Sequence, residues 1–268
     1  METLRVVSAQ FETVDGDIEF NMQQAEKMIR KVSAETGVDL MLFSEMCLDN
    51  FGDATALTRD YTDSEMKAVQ DFWRSMAIEA GFALLPGFIE RDDAGNLHNS
   101  CALFTPDGEV LGKYSKSHLY FEERDYCDPG DDPVVLDYKG WRIAPIICAD
   151  LGFPEWIRLQ TAQSVDLFCV PSCWAYPHDE LWILCNRMRA AENTAYLVSC
   201  NRYGEEPSGR MNLGHSMAVN PKGDIIANLG TAKEAYFIAD LDKSLIREER
   251  ISCQWINWVR PDLYRSLL

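Results

Sequence analysis

The sequence predicts a layered α/β fold. The chain opens with an apolar, strand-like run at residues 4–10, and residues 17–35 follow with apolar side chains at helical spacing. Gly37 is a typical helix end, and a second short apolar run occupies residues 38–43. Strand, helix and strand in succession are the opening unit of such a fold, because helices then cover the faces of the sheet.

The rest of the chain continues this alternation. Thr62 and Glu65 form a capping box that predicts a helix over residues 63–80. Strands are predicted at residues 82–89, 134–138, 141–147, 166–170, 195–200, 214–219, 224–228 and 235–241, with a hairpin at 97–105 and 110–114 and helices at 154–163 and 177–192. No repeat or low-complexity linker interrupts the series, so we expect a single domain over residues 1–268.

The last of these helices carries an apolar stripe on one side. We interpret the stripe as core packing, not as a ligand-binding surface. Its members are Leu181, Leu184, Cys185, Met188 and Ala191.

Composition excludes several classes of partner. The chain has 25 Lys plus Arg against 43 Asp plus Glu, and its net charge of -18 opposes binding to nucleic acid or to anionic lipid. No apolar run approaches the roughly 20 residues needed to cross a bilayer. We therefore expect no nucleic-acid or membrane partner.

The cysteines and histidines indicate the cellular setting. Nine cysteines occur at irregular spacing, and the N-terminus lacks the pattern of a secretory signal. This favours a cytoplasmic location with free thiols. The four histidines are not spaced as zinc ligands, so we expect neither a metal nor a cofactor.

Cys148 is the first candidate for chemistry. It ends the apolar run at residues 141–147, and Pro154 suits the first turn of the next helix. A sharp connection there lifts a side chain at the carboxyl end of a strand, where open α/β sheets place their chemistry. The N–H of Ala149 would then face developing negative charge. Cysteine is more often a buried core residue. The flanking Asp150, Pro154 and Glu155 together favour a nucleophile.

A thiol with a pKa of about 8.5 needs activation at neutral pH. A carboxylate can accept its proton, and an ammonium group can stabilise the resulting thiolate. Glu45 and Lys116 each come directly after a strand-like run and are the candidates for these roles. Alone, either residue is typical of a solvated loop. Only Glu45, Lys116 and Cys148 together indicate a catalytic site.

The motifs around these residues resemble those of the nitrilase superfamily of carbon-nitrogen hydrolases, in its amidase branches. The matching stretches are L-M-L-F-S-E-M around Glu45, G-K-Y-S-K-S-H-L around Lys116, I-I-C-A-D-L-G-F-P-E around Cys148, R-M-R-A-A-E-N at 187–193, N-R-Y-G at 201–204 and R-P-D-L-Y at 260–264. The resemblance spans nearly the whole chain. It implies a four-layer α-β-β-α sandwich that pairs into a homodimer or a larger homo-oligomer, with the apolar tail at residues 251–268 at the dimer interface.

The resemblance also implies a Glu-Lys-Cys triad, formed here by Glu45, Lys116 and Cys148, and a thioester intermediate. A second family glutamate precedes a P-G motif. By its spacing from Pro129 and Gly130 it corresponds to Glu123, with the adjacent Glu122 as the alternative.

The residues directly after the nucleophile indicate which kind of substrate to expect. True nitrilases have the sequence C-W-E at the nucleophile, whereas this chain has C-A-D. Relatives with carboxylate substrates place an arginine shortly after the cysteine, where this chain has Leu151 and Gly152. We therefore expect hydrolysis of a small, uncharged amide to a carboxylic acid and ammonia. The alternatives are hydrolysis of an N-carbamoyl compound with release of carbon dioxide, nitrile hydrolysis, or a catalytically silent binding protein.

Aromatic side chains near the triad are candidates for the pocket wall. The expected substrate-binding residues are Ala149, Phe153, Trp174, Tyr176 and Tyr126, and simple packing at a strand end is the competing interpretation for the aromatic residues.

Overall fold

Two mixed β-sheets face each other in this computed structural model, which describes residues 2–48 and 62–264. The strands are β1 (Thr3–Phe11), β2 (Leu40–Leu42), β3 (Ala83–Leu85), β4 (Gly87–Arg91), β5 (Leu97–Phe104), β6 (Val110–Ser115), β7 (Leu136–Tyr138), β8 (Trp141–Pro145), β9 (Leu167–Ser172), β10 (Tyr196–Asn201), β11 (Tyr203–Glu205), β12 (Met211–Leu213), β13 (Met217–Val219), β14 (Ile225–Asn228) and β15 (Glu234–Asp242). The helices are α1 (Ile18–Val32), α2 (Asp63–Ala80), α3 (Pro154–Thr161), α4 (Asp179–Asn193), α5 (Lys243–Ser252) and α6 (Pro261–Tyr264).

The first sheet has the order β15-β1-β2-β3-β5-β4, with β6 beside β5. The second has the order β14-β13-β10-β9-β8-β7, and β11 and β12 form a separate ribbon. Parallel pairs lie at the centre of each sheet, β1 with β2 and β3 in the first and β8 with β9 and β10 in the second. Their carboxyl ends therefore meet at one edge of each sheet.

The hydrophobic core is divided into layers. Side chains such as Leu42, Leu103, Ile143 and Val198 pack between the two sheets. The outer face of the first sheet is covered by α1 and α2, and the outer face of the second by α3 and α4. The predicted four-layer α-β-β-α sandwich is confirmed.

The capping box at the start of α2 is also confirmed. The backbone N–H of Glu65 donates to Oγ1 of Thr62, and the N–H of Thr62 donates to Oε2 of Glu65. The helix covers Asp63–Ala80, as the sequence predicts. These reciprocal bonds satisfy N–H groups that the first helical turn otherwise leaves without partners.

The strand predicted at residues 82–89 is two strands, divided at Pro86. β3 pairs with β2 in parallel, whereas β4 runs antiparallel to β5. Proline lacks the N–H that a continuous ladder needs. Gly87, the next residue, passes so close to Glu45 that an added Cβ would lie 2.8 Å from the Cα of Glu45. The division thus brings the β4 backbone against a candidate site residue.

The interpretation of the α4 stripe as core holds for Cys185 but is wrong for three of its members. Leu181, Leu184 and Met188 are each about half exposed, whereas the buried face of α4 carries Trp182, Cys185, Asn186, Arg189, Ala190 and Asn193. Polar side chains on this face are buried because they have local partners, as when Arg189 Nε donates to the carbonyl oxygen of Leu151. The periodic apolar pattern therefore marks an outward surface.

All nine cysteines are free thiols, as expected. Among residues 2–48 and 62–264, we find no helix with the length and apolar character needed to span a bilayer.

Candidate active site

Cys148 occupies a strained turn between the second sheet and α3. It begins a short 3₁₀ helix, Cys148–Gly152, that separates the end of β8 from Pro154 at the start of α3. Its φ of 45° lies in the left-handed region, which is costly for a residue with a side chain. The predicted sharp connection at this cysteine is confirmed.

Asp150 fixes this turn. Its Oδ2 accepts hydrogen bonds from the Ile147 N–H at 3.0 Å and from the Tyr114 hydroxyl at 2.7 Å. Its Oδ1 lies 2.9 Å from the His118 backbone nitrogen and 2.8 Å from His118 Nδ1. Because His118 is only two residues beyond Lys116, Asp150 joins the cysteine turn to the segment that carries the lysine.

Lys116 lies between two carboxylates at the floor of the site. Its Nζ is 2.7 Å from Oε1 of Glu45 and 2.6 Å from Oε2 of Glu123. The three side chains are 1%, 2% and 0% exposed. Burial alone would lower the pKa of Lys116, but the attraction of Glu123 and Glu45 outweighs it and raises the pKa well above its ordinary value. The lysine is therefore a permanent ammonium group.

Asn99 and Cys173 donate further hydrogen bonds to the glutamate side chains. Asn99 Nδ2 donates to Oε1 of Glu45 at 2.7 Å and to Oε1 of Glu123 at 2.6 Å. The backbone N–H of Cys173 donates to Oε2 of Glu45 at 2.9 Å. Sequence reasoning missed Asn99, although a polar side chain inside a buried strand such as β5 is a signal that could have found it.

The Cys148 thiol is neutral in the resting site. Burial, followed by repulsion from Glu45, raises its pKa to about 12, while Lys116 and the hydroxyl of Ser172 act in the opposite direction. The Ser172 hydroxyl is fully buried and has no hydrogen-bond partner in the resting geometry of the described residues. It is thus placed to donate once the sulfur becomes charged.

The structure separates the two candidate auxiliary glutamates. Glu123 is buried against Lys116, and its Oε2 also accepts a 2.6 Å hydrogen bond from the Tyr120 N–H. Burial raises the pKa of Glu123, against the opposing effect of Lys116. Glu122, by contrast, lies in the pocket wall. Glu123 is therefore the glutamate that joins the buried cluster.

A cavity of about 630 Å³ opens above Cys148. Four of the expected substrate-binding residues, Ala149, Phe153, Trp174 and Tyr176, line it. Tyr126 does not, because its side chain packs against the cluster formed by Met46, Met66, Ile89 and Cys127. Further lining residues are Tyr120, Phe121, Glu122, Ala175, His178, Leu181 and Arg210.

Sequence reasoning also missed Arg210. This residue directly precedes β12, at the ribbon that was not predicted. Its Nη2 donates to the Cys173 carbonyl oxygen at 2.7 Å, and its guanidinium lies 5.7 Å from the centre of the Tyr120 ring. A lone arginine in a loop carries no sequence signal of this position, since only the tertiary fold brings it to the cavity.

Among the described residues, no group of three or more His, Cys, Asp and Glu side chains is arranged to hold a metal ion. The positive charge next to the thiol is that of Lys116, which affects the pKa of Cys148 directly.

The fold and the buried cluster of thiol, ammonium and carboxylates define a class of α/β hydrolytic enzymes. The carbon-nitrogen hydrolase family model matches residues 5–251. The chain belongs to the carbon-nitrogen hydrolase family, and it is a hydrolase that acts on carbon–nitrogen bonds.

Individual relatives agree with this assignment. An omega-amidase from Homo sapiens is 32% identical over 199 residues, covering 70% of this chain and 72% of the relative. An omega-amidase from Escherichia coli is 30% identical over 223 residues, covering 82% and 84%. The structure of a double mutant of the amidase from Nesterenkonia sp. AN1, in complex with acrylamide, matches with a TM-score of 0.89 at 24% identity and covers 100% of this chain and 98% of that one. The last match supports the fold.

Proposed function

We propose that the protein hydrolyses an amide to a carboxylic acid and ammonia through a thioester on Cys148. The observation that carries the proposal is the position of Lys116 between Glu45 and Glu123, electrostatically coupled to the thiol at the base of a cavity. The amidase names of the relatives favour the same reaction.

The first step forms the thioester. With a thiol pKa of about 12, Cys148 requires a base, and Glu45 accepts its proton. The sulfur attacks the amide carbon, and the developing oxyanion is stabilised by Lys116 and by the Ala149 N–H. Glu45 then returns the proton to the nitrogen, the carbon–nitrogen bond breaks, and ammonia departs.

The second step consumes water. Glu45 removes a proton from a water molecule, with Glu123 holding that water in place, and the hydroxide attacks the thioester carbon. The carbon–sulfur bond breaks, the sulfur regains its proton and the acid leaves. Two glutamates and a thiolate would repel one another at this distance. The positive charge of Lys116 offsets that repulsion.

The test is ammonia release from a panel of amides, N-carbamoyl compounds and nitriles, with mass spectrometry of the enzyme. We expect ammonia from amides and, after rapid acid quench, an acyl adduct on Cys148 of the wild type that is absent in Cys148→Ala. Glu45→Gln should release no ammonia, because the thiol has then lost its base. Carbon dioxide formed together with ammonia would support the N-carbamoyl alternative. Wild-type turnover in folded Cys148→Ala would contradict the proposal.

We also propose that two copies pair through the exposed side of α4 and the tail. Leu184 and Met188 on α4 and Trp255 and Trp258 in the tail are each about half exposed or more, and α4 contacts the 3₁₀ helix Trp255–Asn257. An apolar surface of this kind is typical of an obligate interface. The predicted interface segment extends to residue 268, and its last four residues lie outside the described part of the chain.

The free thiols favour a reducing compartment, so we propose a cytoplasmic location. Localisation of the tagged protein in cells, with thiol counting on the purified chain, tests this.

A further inference from the structure

We propose that Cys173 is a positioning residue for the base Glu45, because it fixes both the side chain and the main chain of that residue from the opposite sheet. The inference rests on the proposed amidase function, in which Glu45 accepts the proton of Cys148. It gives a role to a second buried thiol of the site, which the reaction itself does not use.

Two hydrogen bonds between Cys173 and Glu45 supply the first argument. The Cys173 N–H donates to Oε2 of the Glu45 carboxylate at 2.9 Å, and the Cys173 thiol donates to the Glu45 backbone carbonyl oxygen at 3.2 Å. A thiol is a weak donor, but both residues are almost completely shielded from water, where such a bond is stronger. One residue thus holds both parts of Glu45 in a fixed relation.

The thiol of Cys173 is suited to this task because it stays protonated. Burial, followed by repulsion from Glu45, raises its pKa well above the ordinary value. Cys173 therefore acts as a hydrogen-bond donor and not as a second nucleophile.

Backbone strain beside Glu45 is the second argument. The next residue, Met46, has a φ of 43°, in the left-handed region. Such a conformation is costly for a residue with a side chain and persists only where the surrounding structure holds it. The Glu45 carbonyl group belongs to the peptide that joins these two residues, so the bond from the Cys173 thiol is one of the contacts that hold the strained segment.

The third argument is the position of Cys173 in the fold. It lies just beyond β9, and β9 pairs in parallel with β8, the strand that leads to Cys148. The base is therefore tied to the sheet that carries the nucleophile. Burial raises the pKa of Cys148, and the Cys173 N–H is among the groups that lower it. The alignment of base and sulfur thus depends on Cys173.

The experiment compares Cys173→Ala and Cys173→Ser with Cys200→Ala as a matched control. Cys200 is also fully buried, lies on the neighbouring strand β10 and donates its thiol to the Ala9 carbonyl oxygen of the first sheet at 3.0 Å. It connects the two sheets in the same way but is not part of the cavity wall described above. The measurements are ammonia release, thermal unfolding and the pH profile of Cys148 alkylation by iodoacetamide, followed by peptide mass spectrometry.

Cys173→Ala should lower kcat about three- to tenfold and leave KM within about twofold, because the base is displaced while the cavity wall remains. The pH profile of Cys148 alkylation should shift to higher pH. Cys173→Ser should recover part of both losses, since a hydroxyl group can donate to the same carbonyl oxygen. Cys200→Ala should lower the Tm to a similar extent as Cys173→Ala but leave kcat and the alkylation profile unchanged.

An unchanged kcat together with an unchanged alkylation profile in Cys173→Ala would overturn the inference and leave the amidase function intact. An equal loss of turnover in Cys200→Ala, or no recovery in Cys173→Ser, would also overturn it, because packing alone would then explain the loss. If the wild type releases ammonia from no amide, the proposed function fails and the role of Glu45 as base fails with it. The alkylation profiles would still decide whether Cys173 affects the reactivity of Cys148.

Discussion

The ammonium group of Lys116 lies 2.7 Å from Glu45 inside the protein, where both side chains are almost completely shielded from water. A buried ion pair is strongly dependent on both of its members, because removal of one leaves an uncompensated charge. Here the cation compensates two carboxylates, since Glu123 lies 2.6 Å away on its other side.

Lys116→Met should therefore abolish turnover and lower the free energy of unfolding by about 3–5 kcal/mol. Burial already raises the pKa of Glu123, and loss of the lysine would raise it further. A carboxyl group with a raised folded-state pKa favours folding at pH values below its unfolded pKa of 4.5, and this stability is lost as the pH rises through the folded pKa. The deficit of Lys116→Met should thus shrink as the pH falls from about 7 towards about 5.

Urea unfolding at several pH values measures this. Adding Glu123→Gln to Lys116→Met should restore part of the stability, whereas Lys67→Met, which removes an exposed pair with Asp71, should cost about 0.5 kcal/mol or less. A pH-independent deficit would contradict the assignment of the buried charges.

Ser172→Ala should make the Cys148 thiol less acidic. The Ser172 hydroxyl lowers the pKa of Cys148, so its removal raises that pKa and reduces the thiolate fraction at every pH. The pH profile of Cys148 alkylation by iodoacetamide should shift to higher pH. Ser199→Ala is a matched control, since Ser199 is a buried strand residue that bonds to the Met217 backbone. An unchanged profile would remove Ser172 from the site.

Gly130→Ala should disturb the lysine segment. A Cβ at Gly130 would lie 2.3 Å from the Ser115 carbonyl oxygen, and the Gly130 N–H donates to the Lys116 carbonyl oxygen. Because the obstacle is backbone, we expect a loss of about 1–3 kcal/mol and a large drop in kcat. Gly152→Ala is the control, because nothing lies within 4 Å of its added Cβ. Thermal unfolding and ammonia release distinguish the two, and equal effects would contradict the steric argument.

Met188→Asp should dissociate the proposed homodimer, because it introduces a charge into the apolar surface of α4. Light scattering coupled to size-exclusion chromatography should change from a dimer to a monomer mass. Ile78→Asp, at an exposed residue of α2 on the other side of the molecule, should leave the mass unchanged. A monomeric wild type, or a dimeric Met188→Asp variant, would place the interface elsewhere.

Local signals predicted much of the fold. The capping box at Thr62 is enough to place α2, and apolar runs are enough to place most central strands. The division at Pro86 was missed because the run on either side of it is equally apolar. The prediction that the α4 stripe faces the core was wrong for most of the stripe. Periodicity shows which residues share a helix face, but not which face the rest of the protein covers.

The site was predictable to the extent that its residues lie in local motifs. Glu45, Lys116, Cys148 and Glu123 each belong to a recognisable pattern, and the structure brings them together. Asn99 and Arg210 lie in segments without such a pattern, and Tyr126 was placed in the pocket only because it is close in sequence. Tertiary packing, which the sequence shows only indirectly, decides these positions.

The reactive groups come from opposite halves of the sandwich. Glu45 and Lys116 lie just beyond β2 and β6 of one sheet, whereas Cys148 and Cys173 lie just beyond β8 and β9 of the other. Any sliding of the two halves would change the distance between the sulfur and its proposed base. Substitutions that alter side-chain volume between the halves, for example at Leu103 or Val198, should thus impair turnover at temperatures well below melting, so that catalysis reports on their alignment.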